Sequence, residues 1–212
     1  MNFLDETLDE YVTQHTSKES ELLHELHRET YLKVLQPRML SGHFQGRVLS
    51  MISKMIRPSR ILELGTYTGY SALCLAEGLT KKGHLHSIDK NEEREEFVQE
   101  FIDRSNFSTQ ITLHIGDALE IIPQIKEDWD LVFIDADKEN YLNYYNLIIT
   151  TLKSGSYILA DNILWSAKVI DETAQDKNTK LLREFNKCIT EDPRVENILL
   201  PIRDGIQIGR VI

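Results

Sequence analysis

Two aspartates and a lysine follow an apolar run in the stretch "DLVFIDADKENY". Leu131 to Ile134 are four apolar residues in succession, and Asp135, Asp137 and Lys138 come within the next four positions. Acidic groups at the end of a buried strand are costly unless they are paired or bind something. A lysine whose pKa is lowered by burial and a nearby cation can accept a proton. The stretch therefore indicates a ligand-binding and reactive position.

A second apolar run ends in the same way, because Tyr157 to Ala160 lead into Asp161 and Asn162. Ligands of parallel sheets collect beyond the carboxyl ends of the strands, so Asp135, Asp161 and Asn162 are predicted to converge. Two carboxylates and an amide oxygen suit a hard divalent cation, with Mg²⁺ favoured and Ca²⁺ or Mn²⁺ as further candidates. Such a cation lowers the pKa of a hydroxyl that it binds, and Lys138 would take the proton.

A simpler interpretation of either aspartate is a cap on the helix that follows it. For one strand end alone this interpretation is preferred. Two strand ends together, accompanied by Lys138, favour the cation. Asp137 is assigned only to orienting Lys138 or its loop.

The turn "ELGTYTGYS" indicates a nucleotide-like ligand without phosphates. Gly65 and Gly69 are present, but Tyr67 stands where a dinucleotide fingerprint requires its middle glycine. Glu63 points at the same place, and its carboxylate would repel phosphates while suiting a ligand with positive charge.

Two further acids extend this predicted site. Asp89 ends the second strand, where an acid accepts hydrogen bonds from ribose hydroxyls, and Asp117 follows the third strand in "GDA", where an adenine amino group could be met. A ligand with adenine, ribose and a cationic amino-acid tail is S-adenosylmethionine. Turn glycines and surface acids would explain any one of these residues, but not the whole set.

The elements that position these residues alternate along the chain. Roughly the first 57 residues are predicted to be helical: "ESELLHELHRETYLKVL" ends at Pro37, and "GHFQGRVLSMISKMI" is a second helix. From residue 58 onward, strands over 60–64, 84–88, 110–115, 130–134 and 156–160 alternate with helices, which implies a mostly parallel sheet covered on both faces. The last two strands, "RVENILL" and "IQIGRVI", are joined by too short a link for a crossover and form an antiparallel hairpin.

The helix over "GHFQGRVLSMISKMI" is predicted to present one apolar side. The residues on that side are Phe44, Val48, Leu49, Ile52, Met55 and Ile56. The whole pattern indicates an α/β fold with a doubly wound, mostly parallel, seven-stranded sheet. It is interpreted as one domain over 1–212, with a helical extension over 1–57 and an α/β core over 58–212.

Composition excludes several classes of protein. The chain has 212 residues and a formal net charge of −10, which argues against nucleic acid and against an anionic membrane surface. The acidic start and the lack of a long apolar run indicate neither a targeting peptide nor a membrane span. Cys74 and Cys188 lack metal-type spacing and are interpreted as thiols in a reducing compartment. A cytoplasmic protein is expected.

Taken together, the stretches "ELGTYTGYSAL", "GDALEIIP", "FIDADKENY" and "ILADN" resemble the cation-dependent O-methyltransferases, the group of the caffeoyl-coenzyme A and catechol O-methyltransferases. The resemblance covers the chain from about Arg38 onward. It implies a Rossmann-like methyltransferase fold, S-adenosylmethionine as methyl donor, a divalent metal and a homodimer. By position it implies metal ligands at Asp135, Asp161 and Asn162 and a base at Lys138. The cofactor contacts that it implies are Met39, Ser41, Glu63, Gly65, Tyr67, Ser71, Asp89 and Ala118, beside Asp117 and Asp135.

The substrate expected on this basis is a vicinal aromatic diol of the catechol, caffeoyl or flavonoid type. The sequence does not determine which diol, which hydroxyl, or whether a coenzyme A ester is used. Trp165 and the segment after it are expected near the substrate, and Asp204 is either at the substrate mouth or in a hairpin turn. Two alternatives remain, a nicotinamide-dependent dehydrogenase and a non-catalytic sensor of an adenosyl ligand. Tyr67 and Glu63 count against the first, and the metal and base set counts against the second.

Overall fold

The protein was analysed as a computed structural model that describes residues 6–212. Within that range seven strands form one sheet in the order β3-β2-β1-β4-β5-β7-β6. The first five strands are parallel, and β7 is antiparallel to both β5 and β6. The predicted sheet and its terminal hairpin are confirmed. The strands are β1 (Arg60–Leu64), β2 (His84–Asp89), β3 (Ile111–Ile115), β4 (Leu131–Ile134), β5 (Tyr157–Asp161), β6 (Val195–Leu200) and β7 (Ile206–Val211).

Helices precede the sheet and connect its parallel strands. Among the described residues, three α-helices come before β1, and one α-helix follows each of the first five strands. None of the helices in residues 6–212 combines the length and apolar character that a membrane span requires. The helices are α1 (Glu6–Gln14), α2 (Glu21–Lys33), α3 (Gly42–Ile56), α4 (Tyr70–Ala76), α5 (Glu95–Asp103), α6 (Ala118–Ile121), α7 (Tyr141–Ile149) and α8 (Lys177–Glu191).

The central strands are buried on both faces, which explains their unbroken apolar runs. In β4, Val132 and Ile134 pack with α7 and α8 on one face, while Leu131 and Phe133 pack with α2, α4 and α5 on the other. The side chains of all four are completely buried. The two hydrophobic cores hold the sheet rigidly, so the strand ends are fixed in relation to one another.

The helices before β1 differ from the prediction in two respects. The first five residues of the predicted helical extension lie outside the described range. Helix α2 ends at Lys33 rather than at Pro37, because Val34 is already extended and Pro37 opens a 3₁₀ turn.

The apolar side predicted for α3 is only partly buried, although Ile52 and Ile56 also pack against the core. Leu49 alone of the predicted apolar side is fully buried, whereas Met55 is 76% exposed. The face that packs against α4 is mostly small or polar. Its buried residues are Gln45, Gly46, Leu49, Ser50 and Ser53.

Candidate active site

The carboxyl ends of β1, β2, β3 and β4 border a cavity of about 340 Å³, which we call the β1–β3 cavity. Seven of the ten predicted cofactor residues line it, although they come from five separate segments of the chain. The strand-end rule accounts for Asp89, Asp117 and Asp135, whereas Met39 and Ala118 were implied by the family resemblance. These seven residues are Met39, Gly65, Tyr67, Asp89, Asp117, Ala118 and Asp135.

The glycine turn after β1 brings two strand ends together. Gly65 has a φ of 97°, and a Cβ there would overlap the backbone carbonyl of Asp135. Only glycine tolerates both that conformation and that approach. Gly69 has a φ of 86° at the start of α4. The turn thus places the end of β1 directly against the end of β4.

Asp89 is held rigidly at the end of β2. Its Oδ2 accepts a hydrogen bond from the backbone N–H of Tyr67 at 2.7 Å, and its Oδ1 accepts from the N–H of Asn91 at 2.9 Å. The guanidinium of Arg94 donates to the same Oδ1 at 3.2 Å and lies 5.1 Å from the centre of the Tyr67 ring. Of the roughly four lone-pair directions of a carboxylate, this arrangement leaves one on Oδ2 for a hydroxyl of a ligand.

Glu63 is completely buried and lies behind the turn rather than on the cavity wall. Burial raises the pKa of its carboxyl to about 8, although the hydroxyls of Ser71 and Ser87 lower it in part. Ser87 donates to Oε2, whereas Oε1 has no well-formed hydrogen bond among the described residues. A buried acceptor without a partner fits a ligand that carries a positively charged amino group.

Ser41 and Ser71 also lie away from the wall of the β1–β3 cavity, and both are buried. Asp117 lines it, and its Oδ1 also accepts a hydrogen bond from the N–H of Leu119 at 2.8 Å, as the cap of α6. The capping interpretation and the binding prediction are therefore compatible at Asp117, because its second oxygen remains available.

Sequence reasoning missed three residues of the β4 side of this cavity. Asp137 accepts hydrogen bonds from the hydroxyl of Tyr144 at 2.7 Å and from the amide of Asn140 at 2.5 Å. All three line the cavity. Asp137 was interpreted only as support for Lys138, and nothing in the sequence links it to Tyr144. Arg94 was missed for the same reason, since it stands on a turn beyond the strand end.

A second cavity of about 890 Å³ opens beside the first, and we call it the β4–β5 cavity. Asp135, Lys138, Asp161 and Asn162 all line it. Strands β4 and β5 are hydrogen-bonded neighbours, as predicted, so their ends deliver these side chains to one place. Asp135 also lines the β1–β3 cavity, and the two cavities share its neighbours Ala136 and Asp137 as well.

Asp161 is the most buried of the proposed metal ligands, at 3% exposure. Burial raises the pKa of its carboxyl and the charge of Asp135 raises it further, whereas the ammonium of Lys138 opposes this. Two carboxylates that disfavour each other's charge form an arrangement that a divalent cation relieves. Asn162 follows with a left-handed backbone (φ 58°), which asparagine tolerates.

The donor set fits a cation that keeps ligands from outside the protein. Within residues 6–212, no group of three or more histidine, cysteine, aspartate or glutamate side chains is arranged to hold a metal. Asp135 and Asp161 would therefore need the amide oxygen of Asn162 together with water or substrate oxygens, which is usual for Mg²⁺.

Lys138 is 9% exposed and lines the β4–β5 cavity. Its Nζ donates to Asp135 Oδ1 at 3.0 Å and to the hydroxyl of Tyr141 at 2.5 Å. That hydroxyl also lies 3.0 Å from the carbonyl oxygen of Asp161. Tyr141 thereby fixes the lysine between the two strand ends.

The loop after β5 has an unusual backbone next to the β4–β5 cavity. Trp165, Ser166 and Ala167 all have left-handed φ angles, of 50°, 54° and 64°. Asp204 holds this loop, since its Oδ1 accepts from the N–H of Ser166 at 2.6 Å and its carbonyl from the N–H of Leu164 at 2.9 Å. Trp165 and Asp204 both line the cavity. Asp204 thus lines the β4–β5 cavity and also stabilises the loop after β5, so the two expectations for this residue are compatible.

Comparison with known proteins agrees with this geometry. The profile of the O-methyltransferase family matches residues 13–212. A caffeoyl-CoA O-methyltransferase of Nicotiana tabacum is 34% identical, with 92% of this chain and 86% of the relative covered. A caffeoyl-CoA O-methyltransferase of Arabidopsis thaliana is also 34% identical, with 92% and 80% covered.

Solved structures show the same architecture. The O-methyltransferase from Bacillus cereus, in complex with SAH, superimposes with a TM-score of 0.89 at 28% identity, and 97% of each chain is covered. A fold-level match of 0.89 at 24% identity is found with a methyltransferase of Podospora anserina. The interpretation as a nicotinamide-dependent dehydrogenase is therefore not retained. The chain belongs to the O-methyltransferase family, whose enzymes transfer a methyl group to an oxygen atom.

Proposed function

We propose that this chain transfers the methyl group of S-adenosylmethionine to one hydroxyl of a vicinal aromatic diol, with the help of a divalent cation. The observation that carries the proposal is the junction at Asp135. One cavity has the strand-end acids that suit an adenosyl ligand, the other has the oxygen ligands and the lysine, and Asp135 lines both. A methyl donor and a hydroxyl acceptor would therefore meet at this residue.

The proposed cofactor site divides into a ribose end and an amino-acid end. Asp89 would accept a hydrogen bond from a ribose hydroxyl, in the rigid orientation set by Tyr67 and Arg94. Glu63 would complement the positive charge of the amino-acid tail. The SAH in the Bacillus cereus structure is the product that S-adenosylmethionine leaves after methyl transfer, which supports this assignment.

The proposed cation site consists of Asp135, Asp161 and Asn162. These residues would hold a divalent cation, which would supply Lewis-acid chemistry that lowers the pKa of a substrate hydroxyl. Lys138 is placed to accept the proton, because its Nζ lies between the two strand ends. The hydroxyl oxygen would then attack the sulfonium methyl group, forming the O–C bond as the C–S bond breaks.

The substrate is proposed at the level of its reacting group. The Nicotiana and Arabidopsis relatives are named for caffeoyl-CoA, whose caffeoyl group carries a vicinal diol. Trp165 lines the β4–β5 cavity and is partly exposed. An aromatic side chain at this place suits a planar ring.

Methyl transfer from radiolabelled S-adenosylmethionine tests this function. Catechol, caffeic acid, caffeoyl-CoA and a flavonoid with a vicinal diol would each be assayed with Mg²⁺, with Mn²⁺ and with excess EDTA. We expect transfer to at least one diol, loss of transfer in EDTA, and none to the matched monohydroxy compound. Equal rates of methyl transfer with Mg²⁺ and with excess EDTA would refute the proposed role of a cation. Binding of S-adenosylmethionine without transfer to any diol would instead support the sensor alternative.

A further inference from the structure

A buried chain of hydrogen bonds links the turn between β6 and β7 to Asp161. Nη1 of Arg203 donates to Gln45 Oε1 at 2.9 Å, and Gln45 Nε2 donates to Asp161 Oδ2 at 2.6 Å. Gln45 is 1% exposed, so water cannot replace these bonds. Neither Gln45 nor Arg203 stands at a strand end, and both lie far from Asp161 in sequence.

Glutamine is the residue type that this position requires. A guanidinium only donates and an ionised carboxylate only accepts, so the group between them must do both. The donor on Arg203 fixes the oxygen of the Gln45 amide, which turns its nitrogen toward Asp161. Glutamate would place a second negative charge against Asp161, and methionine would make neither hydrogen bond.

Arg203 is itself held in place by several contacts. Its Nη1 also donates to the carbonyls of Leu40 and Ser41 at the start of α3. Its backbone is left-handed (φ 50°), a conformation that costs about 1 kcal/mol or more outside glycine and persists only where the surroundings impose it. The side chain also lines the β4–β5 cavity. The turn is therefore built to present this guanidinium.

We infer that Gln45 and Arg203 are positioning residues for Asp161, an inference that rests on the proposed cation site. Asp161 Oδ1 accepts from the N–H of Asn162 at 2.8 Å, and Oδ2 accepts from Gln45. Each oxygen keeps one further lone-pair direction for a cation. Gln45 sets the rotation of the carboxylate, and Arg203 sets the orientation of Gln45.

Binding of Mn²⁺, followed by electron paramagnetic resonance, tests the inference without an activity assay. Gln45→Met should weaken Mn²⁺ binding by about 10–100-fold, the usual effect of removing a group that orients a metal ligand. Arg203→Met should weaken it less. The double variant should be no worse than Gln45→Met alone, because Arg203 acts through Gln45. Arg203→Lys, which keeps a donor, should recover part of the affinity.

Gln207→Met is the matched control, since Gln207 is equally buried on β7 but donates to Asn197 instead. It should leave Mn²⁺ affinity unchanged. Wild-type Mn²⁺ affinity in Gln45→Met, or independent effects of the two substitutions, would overturn the inference.

A metal-free measurement separates this inference from the proposed function. In EDTA, the unfolding constants of Gln45→Met, Asp161→Asn and the double variant are measured with urea. The effect of the double variant should differ from the combined effects of the two single variants by about threefold or more. Failure of the wild type to bind Mn²⁺ would remove the cation from the proposed function, while the coupling would still show whether Gln45 holds Asp161. Additive effects in EDTA would overturn the positioning role.

Discussion

Asp161 offers the most direct test of the proposed cation site at the scale of single residues. Asp161→Ala removes a buried oxygen ligand, so methyl transfer should fall by more than about 100-fold and respond weakly to added Mg²⁺. Binding of S-adenosylmethionine should survive, because Glu63 and Asp89 lie elsewhere in the site. Calorimetry measures the binding of S-adenosylmethionine, and the radiolabel assay measures methyl transfer. Asp128→Ala, at an exposed ion pair with Lys153, is the control. Loss of cofactor binding in Asp161→Ala would contradict the division of roles.

Lys138 is expected to act on the proton rather than on binding. Lys138→Ala should retain both Mn²⁺ and S-adenosylmethionine, yet reduce turnover by about 10²–10⁴-fold, the usual contribution of a general base. Part of this loss should return at higher pH, where the substrate hydroxyl ionises without help. A pH–rate profile of the variant measures this, with Lys153→Ala as the control. An unchanged turnover would exclude Lys138 as the base.

Glu63 should make cofactor binding depend on pH. Its pKa of about 8 means that the free protein holds the carboxyl largely protonated at pH 7. A cationic ligand favours the carboxylate, so binding should release a proton. Below pH 8, the affinity should therefore increase as the pH rises, by up to about tenfold per pH unit. Calorimetric titrations of S-adenosylmethionine at pH 6, 7 and 8 test this. In Glu63→Gln the affinity should be weaker and nearly flat with pH. If the wild-type affinity did not change with pH, the positive charge of the ligand would lie away from Glu63.

At the scale of elements, β2 and β3 carry a group of histidines that the active site does not use. His86 Nδ1 lies 2.9 Å from His114 Nε2, and the ring of His84 lies 4.8 Å from that of His86. Burial, followed by the nearby His84 and His114, lowers the pKa of His86 to about 4. Arg60 lowers it slightly further, whereas Glu127 opposes this.

These histidines should make the fold less stable in acid. A histidine whose pKa is lower in the folded chain binds more protons when unfolded, so stability falls as the pH drops from about 6.5 toward 4. Because His86 is only partly buried, we expect about 1 kcal/mol between pH 7.5 and pH 5. Urea unfolding at both values should show this loss in the wild type and a smaller one in His86→Gln. Equal losses in both proteins would assign the effect to other groups.

Helix α3 shows why part of the site could not be predicted. Periodicity correctly indicated a helix with an apolar side, but it did not indicate that small and polar residues are buried against α4. The structure buries Gly46 against the ring of Tyr70, and Ser53 donates to the carbonyl of Leu75 at 2.6 Å. Close contact between α3 and α4 requires small residues, and Gln45 on the same face serves Asp161. A pattern of apolar residues does not identify a helix face whose small and polar side chains allow close packing and hydrogen bonding.

The strand ends, in contrast, were predictable. Asp135 and Asp161 follow short apolar runs, and Asp89 ends the mixed strand "HLHSID". Parallel strands bring all three positions to one edge of the sheet, independently of the loops that follow. Arg94, Tyr144 and their contacts depend on how a helix or turn is oriented after leaving the sheet. That orientation is set by tertiary packing, which local sequence does not encode.

At the scale of the whole molecule, a homodimer remains a prediction of the family resemblance. Helices α2 and α3 and the turn between them expose more apolar side chains than a solvated surface needs. Sedimentation velocity at micromolar concentration should give about twice the monomer mass of 24.6 kDa. A strict monomer would refute the prediction. The exposed apolar residues are Tyr31, Leu32, Leu35, Met39, Met51 and Met55.

The contacts of Arg203 also have a consequence for how the protein is made. The guanidinium reaches back across 163 positions to Leu40 and across 162 to Ser41. During synthesis, β1 to β5 and their helices can assemble in order as they leave the ribosome. The start of α3 must wait for residue 203, and closing so long a loop is slow. A nascent chain stopped near residue 190 should therefore resist proteases in its sheet while the segment at Leu40 and Ser41 is still cleaved.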